Sequence, residues 1–135
     1  MTYSRFEDLP VWQQAISLAE GVDDFTRSMP KGTLSWSQKD QIERASLSVS
    51  NNIAEGFERG STNDLIKFIY IARGSAGEVR SMLLFFRRRR YLQHAREKID
   101  ALIPLAESCA KQLKAWATHL QNSQIKGERH LKKEL

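Results

Sequence analysis

The chain has 135 residues, a length that suits one domain with a single hydrophobic core. Hydrophobic residues make up 41% and charged residues 27% of the sequence, as in an ordinary globular protein, which excludes a disordered chain. The single cysteine, Cys109, excludes an internal disulfide framework and is typical of a reducing compartment. With no apolar signal core and no apolar stretch of about 18 residues, we expect a cytoplasmic protein without a membrane partner.

Charge is divided unevenly along the chain. Residues 1–72 hold 7 Lys/Arg against 10 Asp/Glu, whereas residues 73–135 hold 14 against 6. A strongly basic half is suited to bind nucleic acid, an anionic membrane or an acidic protein. The alternative is that its cations only solvate exposed helix faces.

Two amphipathic helices are predicted in the first sixty residues. The first runs from about Leu9 to Met29, where apolar residues recur at steps of three and four, and Pro30 ends it. Ser37 is the predicted N-cap of the second helix. That helix ends near Gly56 or Gly60, either of which can supply a left-handed residue at the helix end.

The third predicted helix begins after Ser61, which caps it with Asp64 three positions on. Its first turns (LIKFIYIA) resemble a strand in composition, because they are rich in isoleucine and aromatic residues. The spacing of three and four continues from Leu65 to Phe86, far longer than a normal strand, and therefore predicts a helix.

The fourth predicted helix begins near His94 or Ala95, and Pro104 inside its pattern predicts a kink or a break. Four amphipathic helices with short connections predict an all-α, antiparallel up-down four-helix bundle. We assign the bundle to residues 1–121 and expect a polar, disordered tail over residues 122–135.

The third helix carries more apolar surface than one bundle needs. Apolar residues surround its axis in two places, residues 65–72 and 82–86, and a helix that is apolar all round is buried on more than one side. A central core helix is the alternative, but a four-helix bundle has none. We therefore infer a subunit interface. Its candidate residues are Ile66, Tyr70, Ile71, Leu84 and Phe85.

Arginines accumulate along the same helix and after it. Arg73, Arg80 and Arg87 are spaced by seven and so share one face. Guanidinium groups bind phosphates in a bidentate manner, and Tyr91 beside them is suited to stack on a base. The alternative is helix capping, with Arg73 or Arg80 paired to Glu78, Glu43 or Glu55. The candidate nucleic-acid-binding residues are Arg73, Arg80, Arg87, Arg88, Arg89, Arg90 and Arg96.

No active site is evident in the sequence. His94, His119 and His130 lack helical partners of the metal-ligand type, and Cys109 falls on an apolar stripe as a core thiol. Nothing pairs a nucleophile with a base, and no known catalytic or phosphate-loop motif is present. We expect a protein that is not an enzyme and has no metal or cofactor.

Two strings resemble a known family. They are NIAEG at residues 52–56 and IARGS at residues 71–75, with Arg59 between them and Glu78 after them. Together with the opening Phe6-Glu7-Asp8-Leu9, they resemble the bacterial ribosomal RNA intervening-sequence proteins over about residues 5–120. The motif positions, which the resemblance marks as structural, are Asn52, Glu55, Gly56, Arg59, Gly74, Ser75 and Glu78.

The resemblance implies a four-helix-bundle protomer that assembles into a ring, commonly a homopentamer. Related proteins assist diversity-generating retroelements and bind nucleic acid together with a reverse transcriptase. Pro104 and the run of four arginines at residues 87–90 depart from the typical pattern.

Two functions therefore compete at this stage. The first is a homo-oligomer whose arginine face binds RNA or other nucleic acid through phosphates. The second is a protein-interaction scaffold or accessory subunit without direct nucleic-acid contact. Binding to an anionic membrane and an enzymatic activity are the weaker alternatives.

Overall fold

The structure, a computed structural model, describes residues 2–123 and 133–134. Its four helices confirm the predicted all-α bundle, and their bounds are α1 (Pro10–Ser28), α2 (Trp36–Glu58), α3 (Thr62–Arg87) and α4 (Arg96–Asn122). Short 3-10 turns cover Phe6–Asp8 and Arg90–Ala95. Two strands of two residues each, β1 (Thr2–Tyr3) and β2 (Lys133–Glu134), pair antiparallel. The tail predicted over residues 122–135 falls mostly on 124–132 and 135, outside the described residues.

Each helix packs against its neighbours along the chain, and α4 packs against α1, which closes the bundle. Contacts between α2 and α3 join Gln41 to Glu78 and Ser48 to Ser75, so the two helices run in opposite directions. The apolar stripes predicted from the spacing point inward. On α3, the fully buried members of the stripe are Leu65, Ile69, Ala72, Ala76, Val79, Leu83 and Phe86.

The turn between α2 and α3 follows the prediction. Gly60 has a φ of +91°, a left-handed conformation that glycine adopts without strain, and it ends α2. The side chain of Ser61 then accepts a hydrogen bond from the backbone N–H of Asp64 at 3.1 Å. Gly56, the other candidate helix end, lies inside α2.

The start of α2 corrects the sequence prediction, because Ser35 and not Ser37 is the N-cap. The Oγ of Ser35 accepts a hydrogen bond from the N–H of Gln38, and the side chain of Gln38 accepts one from the N–H of Ser35. This reciprocal capping box satisfies two backbone donors at the start of α2, and it depends on the glutamine that lies three residues after Ser35. The helix therefore begins at Trp36.

Pro104 does not break α4, so of the predicted kink or break the break is wrong. The helix is continuous from Arg96 to Asn122. Pro104 is exposed while Leu102 and Ala106 on either side are buried, so packing holds both halves in place. Proline has no N–H to donate to the carbonyl four residues earlier, that of Asp100, which is itself an exposed residue.

Candidate functional site

The cations of the second half of the chain converge where α3 meets α4 and on the turn between these helices. The seven-residue spacing places the α3 arginines beside α4, where Arg80 lies 3.1 Å from Glu107 and Arg87 lies 3.1 Å from Asp100. Two lysines of α4 face the same junction. We call this surface the basic seam, and its members are Arg73, Arg80, Arg87, Arg88, Arg89, Arg90, Arg96, Lys111 and Lys114.

One end of the basic seam is an open groove of about 710 Å³, which we call the corner groove. In the part of the chain that the structure describes, no carboxylate lines it. Because guanidinium groups stay charged at every physiological pH, the groove concentrates positive charge. Its lining is Arg87, Arg88, Arg89, Arg90 and Arg96, with Leu84 and Gln93.

The local backbone explains why so many arginines are tolerated at this corner. Arg87 is the last residue of α3 and Arg88 is its C-cap. Uncapped carbonyls give a helix C-terminus a partial negative charge, which favours cations in the last turn. The C-terminus of α3 thus offsets part of the repulsion among neighbouring arginines.

A second groove, of about 590 Å³, follows the basic seam along the middle of α3 and α4, and we call it the middle groove. Four cations line it, against the single carboxylate of Glu107. Sequence reasoning found Arg73 and Arg80 but missed Lys111 and Lys114. The available signal was their spacing of three on the polar side of the α4 stripe.

The ion pairs of the basic seam differ from those predicted. Of the proposed acidic partners, Glu78 accepts a hydrogen bond from Gln41, Glu43 accepts one from Thr26, and Glu55 pairs with Arg59. The acids that do pair with the seam are Glu107 and Asp100, both on α4. All these side chains are partly exposed, and such pairs contribute only about 0–1 kcal/mol. They leave the arginines available to another anion.

Exposed aromatic rings lie beside the corner groove. The Tyr91 hydroxyl accepts a hydrogen bond from the Gln38 side-chain amide at 3.2 Å, while 46% of the residue remains exposed. The guanidinium of Arg89 lies 5.3 Å from the centre of the Phe85 ring. A ring held in place yet open to solvent is able to stack on a planar ligand.

The outer face of α3 carries the apolar residues predicted as an interface. Tyr70, Ile71, Leu84 and Phe85 are 36–48% exposed, whereas Ile66 is half-buried and packs against the core of its own bundle. A Cβ added to Gly74 or Gly77 would meet no atom within 4 Å.

Two further exposed apolar residues were missed by sequence reasoning. Trp36 is 79% exposed and Leu47 is 51% exposed, and both lie on α2. The spacing already places Leu47 outside the buried stripe formed by Ile42, Ala45, Val49 and Ile53. That position could have predicted its exposure.

Most of the motif residues lie on the opposite side of α3, where it meets α2. A Cβ on Gly56 would lie 2.7 Å from the Cβ of Phe68, so only glycine allows this approach of the two helices. Asn52 donates to the backbone carbonyl of Ser48 at 2.7 Å, and the Ser48 hydroxyl accepts from Ser75 at 2.9 Å.

The remaining motif contacts also hold elements together. Arg59 pairs with Glu55 at 3.1 Å and lies over the ring of Phe68, 4.9 Å from its centre. Glu78 accepts a hydrogen bond from Gln41 across the two helices. Gly74 is the exception, because it is exposed on the outer face of α3.

The other groups considered for chemistry are dispersed. His94 and His119 are exposed, and His130 lies outside the described residues. Cys109 is fully buried, and burial raises the pKa of its thiol to about 11. Within residues 2–123 and 133–134, no three His, Cys, Asp or Glu side chains form a group that would hold a metal ion. Over the same ranges, no helix has the length and hydropathy needed to span a bilayer.

A family model described as 23S rRNA-intervening sequence protein matches residues 7–115. This range covers most of the chain and includes every motif residue described above. The chain belongs to the 23S rRNA-intervening sequence protein family. No curated protein shows significant similarity to it. Most of the motif residues of this 23S rRNA-intervening sequence protein lie where α2 meets α3, away from the basic seam.

Proposed function

We propose that this protein is a non-enzymatic, homo-oligomeric four-helix bundle that binds RNA or other nucleic acid in the cytoplasm. The corner groove carries this proposal, because five arginines line it and, among the described residues, the carboxylate that pairs with them, Asp100, reaches only Arg87 and Arg96. The family to which the chain belongs takes its name from ribosomal RNA, which agrees with an RNA ligand.

Phosphate chemistry matches the corner groove. A guanidinium binds two phosphate oxygens at once, and a nucleic-acid backbone presents phosphates at regular intervals. Arginines from the end of α3 and the start of α4 surround the groove, so neighbouring phosphates can be bound from two sides. The exposed ring of Tyr91 adds a surface on which an unpaired base can stack.

Self-association supports the same function. The exposed apolar residues of α3 favour contact with another copy, because burial of apolar surface is the main driving force for association. Several corner grooves on one assembly bind a long polyanion far more tightly than one groove does. A homopentamer is the assembly that the family resemblance favours.

Salt-dependent binding tests the proposal. In a titration of a fluorescent single-stranded RNA, we expect the dissociation constant to rise steeply with salt. Replacing Arg87, Arg88, Arg89 and Arg90 with alanine should reduce the slope of the log–log plot by about 3, since each single-strand phosphate contact contributes about 0.7.

A second variant, with the same net charge as the first, controls for nonspecific electrostatic attraction to RNA. It replaces four exposed cations outside the basic seam with alanine, namely Arg5, Lys31, Lys39 and Arg44. This variant should keep the slope of the unmodified protein. Equal slopes for both variants, or no binding at about 50 mM salt, would refute the proposal and favour the protein-scaffold alternative.

A further inference from the structure

The side of the bundle formed by α1 and α2 has a surface of opposite charge to the basic seam. A groove of about 520 Å³ runs between these helices. Three carboxylates line it, from Glu20, Asp23 and Glu43, against the single cation of Arg27. We call it the acidic groove.

Apolar side chains accompany the acids of this groove. Leu47 lines the groove, together with Ile16 and Ala19 of α1. Trp36 precedes Leu47 by eleven residues, which is three helical turns, so both lie on one side of α2. Exposed leucine and tryptophan next to carboxylates are typical of a surface that another protein covers.

The middle groove offers the matching features. Arg73, Arg80, Lys111 and Lys114 line it against one carboxylate, and Tyr70 is its exposed apolar residue. Gly74 and Gly77 leave two positions of its α3 wall without side chains. Each glycine inside a helix costs about 1 kcal/mol relative to alanine, and in the part of the chain that the structure describes no neighbouring helix approaches either glycine closely enough to require it. Their absence of side chains lets a helix of another molecule approach closely.

We propose that the middle groove of one copy docks onto the acidic groove of the next copy, in a head-to-tail contact. This inference rests on the self-association proposed above and names its two surfaces. Two middle grooves facing each other would bring eight cations together, and two acidic grooves would bring six carboxylates together. Like charges repel, so a symmetric contact through either groove is disfavoured, whereas the mixed contact pairs opposite charges.

The position of the grooves allows one copy to bind two neighbours. In the cyclic order of the bundle, the α1–α2 side lies opposite the α3–α4 side. A contact between two different surfaces generates rings or filaments rather than closed dimers. The assembly therefore grows past two copies.

With this contact, one part of the basic seam binds another copy and the other part binds nucleic acid. Arg73 and Arg80 become contacts between copies, together with the two lysines of α4. On α3 the middle groove ends at Arg80, and Arg88 lies eight residues farther, about 12 Å along the helix, which leaves the end of the corner groove formed by residues 88–90 open. Nucleic acid then meets the arginines of residues 87–90 and Arg96.

Mixing two variants tests the proposal. Leu47→Arg places a cation in the acidic groove, and Tyr70→Glu places an acid in the middle groove. Both positions are exposed, so the fold should be retained, which circular dichroism can check. Light scattering on a size-exclusion column should give each variant the protomer mass of 15.5 kDa. An equal mixture should assemble beyond the protomer mass, because the unmodified middle groove of the first variant can dock onto the unmodified acidic groove of the second.

Three results would overturn the inference. The first is a mixture that stays at the protomer mass. The second is either variant keeping the mass of the unmodified assembly, since self-association then uses other surfaces. The third is an unmodified protein that is already monomeric, which refutes the proposed self-association as well. Ala101→Arg, at an exposed α4 position outside both grooves, is the control and should assemble normally.

Discussion

Helix α3 contacts its two neighbours through sides of different character. Toward α2, hydrogen bonds join Asn52, Ser48 and Ser75, and Gly56 permits close packing against Phe68. Toward α4, partly exposed ion pairs border two open grooves that carry excess positive charge. The α2 side satisfies its polar groups within the protomer, whereas the α4 side leaves cations available to other molecules.

Most of the motif residues and the basic seam thus lie on different sides of α3. The motif residues of the α2 side set the distance and register of two helices, so they define the bundle. The basic seam contributes little to the fold, and its charges match anions from outside. Function is therefore to be tested on the side of α3 that carries few of the motif residues.

The largest expected effect is on the reactivity of Cys109, which tests whether the core below the middle groove is shielded from solvent. Cys109 lies on α4 between Glu107 and Lys111, which line the middle groove, yet it is fully buried. Burial raises the pKa of its thiol from 9.0 to about 11. At pH 8 the reactive thiolate is then about a hundred times rarer than for a thiol of pKa 9.

We therefore expect a water-soluble disulfide reagent to modify the native protein at least about a hundred times more slowly than the unfolded chain at pH 8. The reaction of the single thiol can be followed by absorbance, with the chain in denaturant as the control. Equal rates for the native and the unfolded protein would show that solvent reaches the core through the α4 side, so the open grooves would not be confined to the surface.

The next effect concerns the α2 side. Gly56→Val should destabilise the fold by about 2 kcal/mol, because its Cβ would lie 2.7 Å from that of Phe68 and the helices would have to separate. Urea unfolding at low protein concentration measures the change.

Gly77→Ala is the matched control on the other side of α3. No atom lies within 4 Å of the added Cβ, so the gain in helix propensity should stabilise the protomer by up to about 1 kcal/mol. If both substitutions change the free energy of unfolding in the same direction, the two sides of α3 do not differ in packing.

The smallest effect concerns the ion pairs of the basic seam. Arg80→Ala should change the free energy of unfolding by no more than about 0.5 kcal/mol, because both partners are partly exposed and solvent screens their attraction. A double-mutant cycle with Glu107→Ala measures the coupling. A coupling above about 1 kcal/mol would mean that Arg80 is committed to the fold.

The fold was predictable from the sequence because helical periodicity reports burial directly. The stripes of α1 to α4 and the Gly60–Ser61 turn follow from local spacing and turn chemistry. The start of α2 was missed because two serines compete for the cap and only Gln38 decides between them. The break predicted at Pro104 does not occur, because the buried residues on both sides hold α4 together.

The candidate surfaces were only half predictable. The arginines of α3 follow from their spacing of seven. The spacing of Lys111 and Lys114 shows that they share the polar side of α4, but it does not show that this side faces the α3 arginines. The same holds for the acidic groove, whose carboxylates come from two helices. Surfaces shared between helices depend on how far each helix is rotated, and a single stripe fixes that rotation only coarsely.

Asp100 gives the corner groove a further property. Its carboxylate is shared by Arg87 at 3.1 Å and Arg96 at 3.6 Å, so an incoming oxygen must displace a resident anion from two guanidiniums. A chloride or acetate ion carries the same single charge as the carboxylate and gains nothing by the exchange. A chain of linked phosphates brings several charges at once and does gain. At these two arginines, the Asp100 carboxylate therefore favours a polymer of phosphates over simple salt ions.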